Sequence, residues 1–288
     1  LVARDLKRKE EELQTSLRVK RPAAPTTIGK YKIVSKLGEG RSAEVYLCEA
    51  DMGQVAVKCL KTWATLDTDQ LERIPEEVPG MVRILDRGRH EDRDFLVIDY
   101  VDGETLEEYR TPGTRAATKV LEQAARAVEQ LHGQGVIHGQ IRPSNLMVTT
   151  RGEVFLMEPN VVHTDLEDEQ TGDDPYSAPE LKQGDEESPA SDVYALGAVA
   201  YTVLSGTPAS SQLEVEDDLL GTGKEERGMV RILQGCTAPS PNRRYSVTEL
   251  VAALNDLGAG KSPPSPTSAA QGMLRSVGRG IGGLPGLR

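Results

Sequence analysis

The sequence predicts an α+β fold, with a small antiparallel β unit first and a mainly helical unit after it. Three observations carry that reading. From Tyr31 to Tyr100 the apolar residues follow the period of strands, broken by glycine-rich or charged turns. From about Thr114 to His132 the period becomes helical: Val120, Ala124, Val128 and Leu131 form one stripe, and Gly133 and Gly135 stop it. Finally, Val193 to Leu204 is a largely apolar run interrupted by Tyr and Gly, which suits a buried core helix. It is shorter than the ~18 residues a membrane span requires.

Composition narrows the function. The 288 residues can bury one or two substantial cores. A formal net charge of -11 argues against general nucleic-acid binding and against docking on anionic lipid. Cys48, Cys59 and Cys236 form neither a close pair nor an even framework, so they read as buried or free thiols in a reducing compartment. The four histidines lack metal-ligand spacing. A cytoplasmic location is expected. The start at Leu1 suggests a piece of a longer protein, whose membrane anchor, if it has one, would lie outside this chain.

In chain order, residues 1–27 form a helix or linker. Val2, Leu6, Leu13 and Leu17 share a helical face before Arg21-Pro22-Ala23-Ala24-Pro25 breaks it. The face is either a short frayed helix or one that docks on the domain or a partner. Next, Tyr31 to Leu37 reads as a strand running into Gly38-Glu39-Gly40-Arg41-Ser42-Ala43-Glu44-Val45. Gly38 and Gly40 would let a hairpin close tightly with backbone N–H groups turned inward, though two glycines in a hairpin are commonly turn residues alone. Val55-Ala56-Val57-Lys58 is a buried strand ending in a charge. A short helix is expected over Trp63 to Glu77, near Pro75 and Pro79. Strands Val82–Asp86 and Asp94–Tyr100 follow, joined by a charged hairpin.

In the second half, His138-Gly139-Gln140-Ile141-Arg142-Pro143-Ser144-Asn145 is a polar loop after the helix. A strand leads from Gly152 to Met157 into Glu158-Pro159-Asn160. Between Asp165 and Glu187 stand ten Asp or Glu and one Lys. This segment is either a solvated loop or a surface suited to basic partners. Ser177-Ala178-Pro179-Glu180, Ser191-Asp192-Val193-Tyr194-Ala195-Leu196-Gly197 and Cys236 to Ser246 follow, and Leu250 to Leu257 closes the last helix. Residues 258–288, rich in Gly, Pro and Ser with four basic and no acidic residues, read as a disordered tail.

These motifs, in this order, resemble those of eukaryotic-type protein kinases, and most nearly the bacterial Ser/Thr kinase-like domains. They stand in the positions of the glycine-rich loop, the V-A-I-K strand, the H-R-D-L-x-x-x-N loop, D-F-G and A-P-E. The resemblance implies a bilobal kinase-like fold, with an N-lobe over 28–101 and a C-lobe over 102–257. It implies an ATP site at Gly38, Gly40, Val45, Ala56, Lys58, Met147 and the hinge backbone of Asp99 and Val101, with Ile98 as gatekeeper. Either Asp69 or Glu72 would hold Lys58. Asn145 and Glu158 would be the metal ligands. His138, Asp192, Glu180 and Arg244 would serve the fold, the last two as a buried salt bridge.

The departures from the family pattern are chemical. Gln140 stands where the family has the Asp that takes the substrate proton, and an amide has no useful basicity. Arg142 occupies the position of the catalytic-loop lysine. Gly139 removes an arginine, and Ala43 replaces the third loop glycine. Glu158-Pro159-Asn160 lengthens the metal-binding carboxylate, removes an aromatic ring and an N–H, and fixes φ at Pro159. No catalytic residue is therefore expected. The resemblance implies ATP, but the altered triplet puts magnesium in question. The expected role is a pseudokinase that binds a protein partner, with a basic surface facing 165–187 as the expected kind. The alternatives are a weak Ser/Thr kinase using Glu158 and Asn145 for metal, or a structural interaction domain that binds no nucleotide.

Overall fold

The structure is a computed structural model that describes residues 26–109, 113–164, 174–210, 213–217 and 219–267. The N-terminal helical face, residues 165–173 of the acidic segment and the tail from 268 lie outside the described residues.

The N-lobe is a six-stranded antiparallel sheet of order β1-β2-β3-β4-β7-β6. Its strands are β1 (Thr27–Ile28), β2 (Tyr31–Glu39), β3 (Ala43–Ala50), β4 (Gly53–Leu60), β6 (Ile84–His90) and β7 (Arg93–Asp99). The two-residue period puts Val55, Val57, Cys59, Phe95 and Val97 in one cluster with Ile28, Tyr31 and Cys48. The alternate residues Ala56, Leu96 and Ile98 face the other way and pack with Leu71, Val82 and Val161. That second face looks into the cleft between the lobes.

The helix expected over Trp63 to Glu77 is mostly not helix. Ala64–Leu66 is a strand, β5, and only Thr68–Arg73 is helical, as α1. Asp67 explains the start, since its side chain accepts the N–H of Gln70 at 2.9 Å as an N-cap. Pro75 explains the stop. Strand β5 exists because β11 (Val162–Thr164) pairs with it antiparallel, Val162 opposite Leu66 and Thr164 opposite Ala64.

The C-lobe is built on α2 (Thr114–Gly133), α3 (Pro189–Ser205), α4 (Lys224–Cys236) and α5 (Val247–Gly258), with a small sheet β10-β9-β8 on its cleft side. The small sheet's strands are β8 (Gly103–Thr105), β9 (Leu146–Thr149) and β10 (Val154–Leu156). Ser191 through Ala200 are all buried, so α3 runs through the middle of the lobe. Ser188 and Ser191 cap it reciprocally. Gly197 allows α4 to lie close, because a Cβ there would meet Cys236 Cβ at 2.5 Å. Residues 259–267, assigned to the tail by composition, lie against α4 and α5. Pro263 is buried, and Tyr245 Oη donates to the Pro264 carbonyl at 2.5 Å.

Candidate nucleotide-binding cleft

Strand pairing brings Lys58 to the cleft. Val45 lies opposite Lys58 and Lys58 opposite Leu96, while Ala56 lies opposite Ile98. Val45, Ala56, Ile98 and Val101 pack together in one apolar cluster with Phe155 and Met157. Met147 is half-buried on β9 opposite Phe155. At the glycine loop, a side chain on Gly38 would meet nothing within 4 Å, whereas the Gly40 N–H donates to Ala43 O at 2.8 Å. Gly40 therefore closes the tip of the hairpin and does not turn its N–H inward.

Neither helix carboxylate holds Lys58. The ammonium pairs with Glu158, which is only 6% exposed. Glu72 pairs with Arg87 at 3.4 Å, and Asp69 is exposed in the first turn of α1. The reason lies in the element: a helix cut to six residues does not bring its acids to β4. The sequence reading also missed Arg83, whose guanidinium binds both Asp99 carboxylate oxygens at 2.9 Å. This contact holds the Asp99 carboxyl below its usual range. The Asp99 N–H is bonded to Arg83 O at 3.1 Å, and Val101 lies in the unpaired connection between the lobes.

The loop from His138 to Asn145 is held from behind. Asp192 accepts the N–H groups of His138 (2.8 Å) and Gly139 (2.9 Å), and the ring of His132 at 2.8 Å. His138 Nδ1 accepts the N–H of Gln140 at 3.1 Å, which leaves Nε2–H to donate to Met157 O at 3.1 Å. Full burial keeps this ring below the usual histidine pKa, and so neutral. Asn145 Nδ2 donates to Gln140 O at 2.9 Å. Arg142 is paired with Asp174 at 2.7 Å, and Asp174 also accepts the N–H of Tyr176.

Two further carboxylates of the acidic segment are used inside the fold. Glu180 and Arg244 form a buried bidentate pair at 2.6 and 2.7 Å. Glu187 lies over Gly139, and Asn160 Nδ2 donates to it at 3.3 Å. Burial first, then the nearby Asp192 charge, raises its pKa above the ordinary carboxyl value. Its only sequence signal was its place just before the Ser188 cap of the helix carrying Asp192.

Family comparison agrees with this architecture. The protein kinase domain model matches residues 31–255, so the chain belongs to the protein kinase domain family. Among curated relatives, it is 27% identical over 303 aligned positions to serine/threonine-protein kinase PknB of Mycobacterium leprae, covering 91% of this chain and 49% of that protein. It is 31% identical over 206 positions to serine/threonine-protein kinase PknA of Mycobacterium tuberculosis, covering 63% and 48%. Serine/threonine-protein kinase PrkC of Bacillus subtilis matches at 29% over 201 positions, covering 62% and 31%. The chain thus spans about half or less of these relatives' length. In fold it matches the crystal structure of the Mycobacterium tuberculosis PknI kinase domain, with a TM-score of 0.65 at 23% identity over 82% of this chain and 99% of that one. Among the described residues, no helix is long and apolar enough to cross a membrane.

Proposed function

We propose that this domain is a pseudokinase: a kinase-fold module that binds a nucleotide in its cleft and acts on a protein partner by binding rather than by phosphate transfer. The observation that carries this reading is the loop at Gln140. Its backbone is held by Asp192, His138 and Asn145, yet the side chain at the base position is an amide. A missing general base lowers rate by roughly 10²–10⁴. The loop cation, Arg142, is already paired with Asp174. The relatives are named as kinases, and that activity is not carried over to a site with these substitutions.

The partner we expect is a basic protein surface. Asp185 and Glu186 are exposed on the described end of the acidic segment, whereas Asp174, Glu180 and Glu187 are engaged internally. Thermal shift with ATP, run beside a radiolabelled phosphate-transfer assay, tests the reading. A shift without transfer is the expected result. Robust transfer that Lys58→Ala abolishes would overturn it.

A further inference from the structure

We infer that this cleft holds its nucleotide without a divalent metal, with Lys58 as the phosphate cation and Glu158 as the residue that positions it. The inference rests on the nucleotide-binding reading above and concerns how that same site works.

In the family, a helix carboxylate orients the strand lysine while the triplet carboxylate and the loop asparagine hold magnesium. Here the first task has lost its residue. Helix α1 is fixed between the Asp67 cap and Pro75, Glu72 is turned to Arg87, and Asp69 is at the surface. Glu158 takes that task. It carries one methylene more than the family's Asp, and it reaches Lys58 directly.

The second task then lacks a ligand set. Glu158 is buried and bonded to an ammonium group, so a dication at its carboxylate would sit against a fixed positive charge. Asn145 donates its amide nitrogen to Gln140 O and keeps its one neutral oxygen, a single uncharged ligand. Gln140 adds no charge where the family has a carboxylate. Pro159 fixes φ at the next position and biases Glu158 to extended backbone. Magnesium requires near-octahedral oxygen ligation and is usually held through one or two carboxylates as well as phosphates. The one carboxylate here is already neutralised.

Calorimetric titration of the full chain with ATP, in magnesium and in EDTA, tests this. The expected affinities agree within about threefold. Lys58→Met alone would strand the Glu158 charge, so the companion protein is the double variant Lys58→Met with Glu158→Gln, its fold checked by circular dichroism. Its ATP affinity in EDTA is expected to fall by about tenfold or more. Unchanged affinity in the double variant would overturn the role of Lys58. A magnesium-dependent gain of about tenfold that Glu158→Gln removes would make Glu158 a metal ligand. That result would overturn the inference while leaving nucleotide binding in place. No binding in either condition would overturn both.

Discussion

At the scale of single residues, the most informative position is Gly139. It sits at φ 69°, in the left-handed region, and a Cβ there would come within 2.3 Å of the Glu187 carboxylate. The side-chain clash can be relieved by moving Glu187, but the backbone angle cannot, so Gly139→Ala is expected to cost about 1–2 kcal/mol. Urea denaturation of the two proteins measures it. Glu187 itself gives a pH signature. Its pKa is raised above the ordinary 4.5, chiefly by burial, so the folded state disfavours the charged form. The folded protein then binds this proton more tightly than the unfolded chain, and stability contributed by the group falls as pH rises from 4.5 through the raised value. Glu187→Gln keeps an oxygen for Asn160 and removes the charge. It is expected to raise the melting temperature at neutral pH, with the gain disappearing near and below pH 4.5. A gain independent of pH would show that charge is not the cause.

At the scale of elements, the sequence was legible where the resemblance to kinase motifs names the partner. Glu180 and Arg244 could be paired from the motifs they resemble, as could Asp192 with the loop after His138, although Glu180 and Arg244 only flank short turns and carry no period of their own. The segment from Trp63 to Glu77 was not legible in the same way. Its helical half is too short to be stable alone, and its strand half is specified by β11, about a hundred residues away in sequence. The partner of Lys58 was missed for the same reason, since it depended on a helix whose length only the folded chain decides. Asp67 joins the two halves: it caps α1 and contacts His163 of β11 at 3.0 Å. Asp67→Ala is expected to cost about 1 kcal/mol, the usual value of an N-cap. Hydrogen exchange should report faster opening at residues 64–73 and 162–164, with the C-lobe unchanged. A second element-scale test concerns Arg244. Its guanidinium binds both Glu180 oxygens and the carbonyls of Ala190, Ala238 and Pro239, and it stacks over Tyr194. Arg244→Ala strands a buried carboxylate, so the expected cost is about 3–5 kcal/mol by denaturation.

At the scale of the whole molecule, the question is where the domain ends. Composition placed the boundary at 257, because glycine, proline and serine follow. Composition does not show where a polar segment finds fixed partners, and residues 259–267 find several. Lys224 Nζ donates to Gly260 O at 2.6 Å, and Thr267 bonds Glu249 through both its N–H and its hydroxyl. The same Glu249 caps α5 through Ser246, so the strap is tied to the start of the helix it follows. Between these ties, Tyr245 donates its hydroxyl to Pro264 O, and Pro263 packs near Gly228 beside Leu257. A net hydrogen bond contributes about 1 kcal/mol. The buried Tyr245 hydroxyl would also lose its partner, so a chain ending after Gly258 is expected to be about 2–4 kcal/mol less stable than one ending after Thr267. For a domain of this size that corresponds to a drop in melting temperature of roughly 4–16 °C. Equal melting of the two truncations would mean that the strap rests on the C-lobe without stabilising it. A clear difference would place the end of the folding unit at about Thr267, ten residues beyond the last apolar position of α5, Leu257.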